Sequence, residues 1–423
     1  MTALIAVESG AGSQGALRRA LDESPALQGA DRGLVTAMVY GVLRHQRRLD
    51  GWLMGACARG LAGMEIPLLT ALRLGAVQLA FLRRIPAFAA IDTTVEAGKA
   101  WLGPRQIGFL HGVLRALGRD AVGPASGGRS DLPEWIVRRI EAFALGLGLP
   151  EDAMVSAFAA EAPLHVHLVE PNRDALLVEL AEAGIQLAPV GAVPGAYAVQ
   201  AGDIFRSDAF ARRQLIAQDG GSAAIAEWIT DVRPRQVLDL AAGRGAKSLF
   251  LAAAGAEVTA VDVDPDKLAA AASLAERAGY PLNATVTADG RASGLPTACW
   301  DAVLLDAPCT GLGTLRRRPE IRHRRRAADI LRLAGLQTEL LAAAALHVRP
   351  GGVLVYATCS PLVEEGPVIV DALLAADQTL ERWPGEAVWL QPWLDDRGDF
   401  HSHPLRHDTD AFYAVRLRRR PAP

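Results

Sequence analysis

The stretch from Gln236 to Ser248 reads QVLDLAAGRGAKS, and the fold turns on it. QVLDL is a short apolar run, predicted to be a strand that brings Asp239 to its carboxyl end. AAGRGAKS then turns the chain, and apolar residues continue as a helix to about residue 254. The same alternation repeats downstream. AEVTAV (256–261) runs into Asp262, ATVTA (284–288) into Asp289, AVLLD (302–306) ends at Asp306 and GVLVYATC (352–359) at Cys359. AFYAVRLR (411–418) is a last, alternating strand. Near-continuous apolar runs separated by helices predict a parallel sheet covered on both faces. Such sheets bind ligands at the carboxyl ends of their strands, where four acids and one cysteine converge here.

Gly243 and Gly245 let the backbone turn tightly and approach a ligand, and the following helix offers unpaired N–H groups to an anion. Asp262 lies 19 residues beyond Gly243, at the next strand end, where an acid can grip both hydroxyls of a ribose. The loop lacks the third glycine of the dinucleotide fingerprint and the spacing of a P-loop, so a nucleoside cofactor fits and ATP is disfavoured.

Upstream, residues 1 to about 120 carry apolar residues at three- and four-residue spacing and read as helices. Residues 118–135, GRDAVGPASGGRSDLPEW, read as a linker. From there to about 210 the pattern is mixed: APLHVHLVEPN and GAYAVQAGD read as strands and DALLVELAEAG as a helix. The expected organisation is multidomain: an all-α domain over 1–125, a linker with a small α+β domain over 126–215, and an α/β Rossmann-like domain over 216–423.

The chain has 423 residues and a net charge of −3, unevenly spread: residues 1–130 carry +6 and the remainder −9. Within that acidic remainder, residues 316–326 read RRRPEIRHRRR, seven arginines against Glu320, and Arg416, Arg418, Arg419 and Arg420 form a last group. Arginine patches on an acidic body suggest directed contact with a polyanion; the plain alternative is a solvated helix face and a basic tail. No window is long and apolar enough to span a membrane, and the first residues lack a basic-then-apolar signal pattern. Four cysteines without CxxC spacing predict free thiols in a reducing, cytoplasmic setting. His401, His403 and His407 cluster without acid or cysteine at ligand spacing, so no metal is expected, and a loop lining a nucleic-acid groove is the preferred reading. A monomer is the default.

Cys57 and Cys299 read as inert core residues. Cys309 and Cys359 differ, because each lies just past a strand end beside Pro, Thr or Ser, and neighbouring parallel strands would bring both thiols to one cleft. DAPCTGLGTLRRRPEIR from Asp306 and YATCSPLVEEG from Tyr356 resemble the two signature motifs of the NOL/NOP2/Sun family of RNA cytosine-C5 methyltransferases. YGVLRHQRRLD (40–50), LRLGAVQLAFLRRIPAFAAIDTTVEAGK (72–99) and GFLHGVLR (108–115) resemble a NusB-like RNA-binding domain. That fusion is characteristic of the Sun/Fmu (RsmB-type) branch, which acts on small-subunit ribosomal RNA.

The resemblance implies a class I methyltransferase domain, S-adenosyl-L-methionine as cofactor and small-subunit rRNA as partner. It assigns the attacking thiol to Cys359, the thiol that helps release product to Cys309, and a hydrogen bond to the cytosine ring to Asp306. It places the cofactor on Ala241, Ala242, Gly243, Arg244, Gly245, Ala246 and Lys247, its ribose on Asp262 and its adenine on Asp289. Asp306 borders that pocket as well. Lys247 is left with two candidate partners, the methionine carboxylate or Asp306. Arg316, Arg317, Arg318, Arg322 and Arg324 follow Cys309 closely, and RNA phosphate contact is then the better reading of the run. The chain departs from the family pattern at Arg244, where a proline is usual, at Gly366, where Glu-Glu is usually followed by Asn, and at His323, where a tryptophan is frequent. Two other readings stay open. An amino-group methyltransferase would need Asp/Asn-Pro-Pro-aromatic where this chain has Asp306-Ala-Pro-Cys. An RNA-binding, antitermination-like protein would carry a decayed cofactor pocket. A tRNA substrate is the remaining variant of the leading reading.

Overall fold

The computed structural model describes residues 1–82, 84–120, 123–124 and 127–421, and divides into two compact units. One comprises Met1–Ala160 with Leu315–Arg324, the other Glu161–Thr314 with Arg325–Pro423.

The first unit is helical. Its helices are α1 (Thr2–Glu8), α2 (Ser13–Asp22), α3 (Ala30–Ala56), α4 (Ile66–Phe81), α5 (Ala87–Gly98), α6 (Pro104–Leu117), α7 (Glu134–Gly146) and α8 (Glu151–Ala159). α4 packs against α1, α3, α5 and α6, and it is apolar on every face because it is buried on every face. Gly75 is required there: a Cβ would come within 2.5 Å of the Leu114 methyls. The one cation of α4 is neutralised where it lies, since Arg73 donates to Asp50 and Glu8 at 2.7 Å.

Ten residues from the middle of the arginine run belong to this unit. The Arg322 side chain is buried and donates to the carbonyl oxygens of Arg44 and Ala159 at 3.0 Å and of Leu315 at 3.3 Å. Glu320, also buried, accepts from the Ser13 hydroxyl at 2.8 Å and its N–H at 3.3 Å. The His323 ring meets the Leu43 carbonyl at 2.9 Å, and burial lowers its pKa to about 4, so it is neutral. Backbone carbonyls thus take up cations that the sequence suggested for phosphates.

The second unit holds two sheets. The small antiparallel sheet has strands β1 (His165–Leu168), β2 (Gln186–Pro189), β3 (Ala196–Ala201) and β4 (Leu215–Ala217) in the order β2-β3-β1-β4. The large sheet contains β5 (Gln236–Asp239), β6 (Glu257–Asp262), β7 (Ala284–Thr287), β8 (Trp300–Asp306), β9 (Val348–Thr358), β10 (Leu380–Arg382), β11 (Phe400–His401) and β12 (Tyr413–Arg419). Its order is β10-β12-β9-β8-β5-β6-β7, with β11 paired to β12. β5 to β9 run parallel, and β12 is antiparallel to β9. Strand order reverses between β5 and β8, which is where an open α/β sheet forms its ligand crevice.

The all-α and α/β expectations hold, with two differences in placement. Residues 134–159, expected to lie in the middle domain, form α7 and α8 and cluster with the helical unit. Residues 161–217 cluster with the large sheet rather than standing apart. Part of the expected linker (121, 122, 125 and 126) lies outside the described residues.

The C-terminal arginines follow the plainer reading. Arg418 and Arg420 pair with Glu381 at 2.7 and 3.2 Å, and Arg419 pairs with Asp377 at 3.3 Å. Arg416 is buried against Trp228 and Trp383 and pairs with Asp231 at 3.2 Å. The histidine cluster is not a groove lining. His403 is buried, His407 stacks on Trp393 at 4.3 Å, and burial lowers both pKa values to about 4. Cys57 is buried as expected, but Cys299 is exposed in the turn before β8.

Candidate active site

The register of the sheet builds the site. Asp306 pairs with Ala357 across parallel strands β8 and β9, so Cys309 and Cys359 leave neighbouring strand ends within a few residues of one another. Their sulfurs lie 3.2 Å apart. Gly313 N–H donates to the Cys359 carbonyl at 3.0 Å and pins the two loops together. A side chain at position 313 would strike the Ala411 carbonyl, which explains the glycine. Cys309 is buried and Cys359 half-buried. The hydrogen bond to Cys359 and then burial raise the Cys309 pKa well above the ordinary thiol value, with the Glu365 and Asp306 charges adding to the effect.

The polar side of the cleft is an ion pair. Lys247, from the first turn of the helix Ala246–Ala253, donates to Asp306 Oδ2 at 2.5 Å, which decides its partner. Burial opposes the ammonium charge, but the Asp306 carboxylate more than offsets this and its pKa is raised. The ammonium lies 5.9 Å from the Phe412 ring. The Asp306 side chain stays about one-third exposed (32%), open to a ligand.

At the switch point, Gly245 adopts φ 78 and lies against Ala271, where a Cβ would approach to 2.5 Å. Gly243 adopts φ 55 with open space where its Cβ would be. Gly243 N–H donates to Asp262 Oδ2 at 3.0 Å, and Asp264 N–H to Oδ1 at 2.9 Å, fixing that carboxylate beside the glycine turn. Asp289 is instead held by Arg291 at 2.6 Å, which with the Arg291 N–H lowers its pKa to about 2. Arg244 is exposed on the turn, and Ala241, Ala242 and Ala246 complete it.

Asp239 is missing from the residues the sequence reading assigned to the cofactor. It is buried, accepts from Ser248 at 2.5 Å through Oδ2, and its Oδ1 has no partner among the described residues. Burial pushes its pKa up to about 7 against the Ser248 hydrogen bond. Its position at a strand end was legible; its unmet oxygen was not. Arg325 was also passed over: it donates to the Thr310 and Cys309 carbonyls at 2.9 and 3.3 Å.

The five arginines expected on RNA do not act alike. Arg322 and Arg316 are buried, and Arg324 is spent on the carbonyls of Val7, Gly10 and Ala11. This corrects the expectation for those three, because a guanidinium committed to carbonyls or removed from solvent is not offered to a phosphate. Arg317 is half-buried, and Arg318 is exposed with a loose pair to Glu320 at 3.6 Å. No group of three or more His, Cys, Asp or Glu is arranged around a metal among the described residues, and no described helix is long and apolar enough to cross a membrane.

Residues 227–418 match the model of the 16S rRNA methyltransferase RsmB/F family, and residues 1–119 match that of the NusB family. A putative methyltransferase of Mycobacterium tuberculosis is 37% identical over 92% of this chain and 89% of its own length. Ribosomal RNA small subunit methyltransferase B of Escherichia coli is 33% identical over 81% of this chain and 82% of its own. Among solved structures, PH0851 superposes with a TM-score of 0.83 at 23% identity, covering 98% of this chain and 96% of that one. NSun6 from Pyrococcus horikoshii, solved with SFG, gives 0.56 at 17% identity over 68% of this chain and 98% of its own; at these identities the likeness is one of fold. By its relatives and its matched segments, the chain belongs to the 16S rRNA methyltransferase RsmB/F family and carries a NusB family domain at its N-terminal end.

Proposed function

We propose that this protein methylates C5 of a cytosine in small-subunit ribosomal RNA, taking the methyl group from S-adenosyl-L-methionine, through a covalent bond between Cys359 and C6. The 3.2 Å approach of two thiols at adjacent strand ends carries this reading. An amino-group methyltransferase has no use for such a pair.

The residues at the switch point fit the cofactor. Asp239 offers a buried carboxylate oxygen without a partner, suited to the methionine ammonium, and the space over Gly243 admits a ligand against backbone. Asp262 would hold the ribose hydroxyls with lone pairs not used by Gly243 and Asp264. Asp289 would take the adenine amino group once it shares its bond to Arg291. When bound, the cofactor supplies an electrophilic methyl group.

The chain's own residues make C5 able to accept it. The Cys359 thiolate adds to C6, forming the S–C bond and displacing the ring π pair towards N3. Asp306, steadied by Lys247, supports a proton there and leaves C5 electron-rich. After methylation a base removes the C5 proton. The C6–S bond then breaks, returning its pair to Cys359, while the Cys309 S–H hydrogen-bonds to the departing sulfur. Arg318 and Arg317 remain as phosphate contacts.

Incubation with small-subunit rRNA and S-adenosylmethionine, followed by nucleoside mass spectrometry, tests the reading. 5-Methylcytidine is expected; N4-methylcytidine or an unchanged RNA would overturn it.

A further inference from the structure

Two thiols 3.2 Å apart pose a selection problem, because one must be the anion and the other its hydrogen-bond donor. Two nearly equivalent sulfurs would share the charge, and a thiolate on Cys309 would repel the one needed on Cys359. Something in the protein must distinguish them.

Glu365 lies on the Cys309 side. Its side chain is wholly buried. Oε1 accepts the Thr310 N–H at 2.7 Å and the Gln337 amide at 3.1 Å, and Oε2 accepts the Thr310 hydroxyl at 2.5 Å. Gln337 also donates to the Pro308 carbonyl at 2.9 Å, so the residues on both sides of Cys309 are tied to one carboxylate and its amide partner. The Glu365 backbone carbonyl is bound by Tyr356 at 2.8 Å and by Thr358 at 3.3 Å, the latter one residue before Cys359. Lys247, the cation of the cleft, interacts with the Cys359 charge. An anion thus stands behind one sulfur and a cation reaches the other.

We propose that Glu365 is a positioning residue: it holds the Cys309 loop against Cys359 and, as a buried anion, makes Cys309 the protonated donor of the pair. The role rests on the proposed thiol chemistry and adds how the two cysteines divide it. A protonated Cys309 stabilises the Cys359 sulfur by a hydrogen bond both before attack and as it leaves C6, without competing as a nucleophile. A carboxylate that accepts three hydrogen bonds keeps its charge despite burial, which lets a buried Glu365 act on a neighbouring thiol.

The test needs no RNA. Alkylation of each cysteine by iodoacetamide is followed by peptide mass spectrometry from pH 6 to 10 in the full chain. In the wild type, Cys359 should react at lower pH than Cys309. Glu365→Gln should move the Cys309 profile down by about one pH unit or more, since a neighbouring charge is removed. Thr310→Val keeps the charge but removes one tie; it should leave the Cys309 midpoint in place and slow product release about tenfold, seen as RNA-bound protein on denaturing gels. An unmoved Cys309 profile in folded Glu365→Gln protein overturns the proposal. If that variant does not fold, unchanged release by Thr310→Val overturns it instead. Absence of any RNA adduct in the wild type counts against the proposed function, while the alkylation profiles still decide the role of Glu365.

Discussion

The sulfur of Cys309 rests 3.2 Å from that of Cys359 although 50 residues of chain separate them, and the contact follows from the pairing of Asp306 with Ala357. Parallel strands in register deliver equivalent positions to one edge. A shift of one residue would turn one thiol to the opposite face of the sheet.

The Lys247–Asp306 pair is predicted to serve catalysis and stability together. Asp306→Asn leaves a buried ammonium without its anion. Removing one partner of a buried pair costs about 3–5 kcal/mol, and the one-third exposure of Asp306 should reduce this to about 1–2. A fall in Tm with at least a tenfold loss of methylation is expected. Calorimetry and turnover of Asp306→Asn check it, and unchanged values in both would remove the pair from the account.

Arg322 and Arg318 should separate structure from RNA contact. Arg322→Met strands three carbonyl oxygens in the helical unit, so unfolding should become easier by about 2 kcal/mol or more. Arg318→Ala should leave Tm unchanged but weaken RNA binding and reduce the slope of log affinity against log salt by about one. Salt titrations of both variants settle which arginine meets phosphate.

The buried titrating groups predict opposite pH effects. Burial lowers the folded-state pKa of His323 to about 4 from 6.5, so its contribution is intact above pH 6.5 and is lost as pH falls through 4. His323→Gln should therefore lose less stability than the wild type across that window, by about 3 kcal/mol at most. Asp239 has the other sign. Its pKa rises to about 7 from 3.8, so stability present below pH 4 is lost as pH rises through 7. Asp239→Asn should match the wild type near pH 4 and exceed it at pH 8 by about 2–4 kcal/mol. Denaturant titrations at the two pH values check both.

Asp239 should also shape cofactor affinity. Its Oδ1 can receive the methionine ammonium only as an acceptor, and best as an anion. Calorimetric affinity for S-adenosylhomocysteine should fall below pH 7 in the wild type and be weaker in Asp239→Asn at pH 8. Equal affinity of the two proteins at pH 8 would exclude the contact.

What the sequence disclosed and withheld has a physical pattern. β5, β6, β8 and β9 were legible because strands buried on both faces need near-continuous apolar residues, and their ends located Asp262, Asp306, Cys309 and Cys359. The fate of Arg322 was hidden because its acceptors are backbone carbonyls, which every residue owns; those of Phe158 and Ala159 lie more than 160 positions away. Glu365 showed itself as part of a motif, but its grip on Thr310 and Gln337 depends on how three separate segments meet. β2, β4 and β10 are too short to carry a pattern of their own.

The most direct test of the division of labour between the thiols is a trap with RNA bearing 5-fluorocytosine, whose fluorine cannot be removed as a proton. With S-adenosylmethionine present, the wild type should form a denaturation-resistant complex that peptide mass spectrometry maps to Cys359. Cys359→Ala should form none, and Cys309→Ala should accumulate a complex even on unmodified RNA. A wild-type complex mapped to Cys309, or one that persists in Cys359→Ala, would contradict the account.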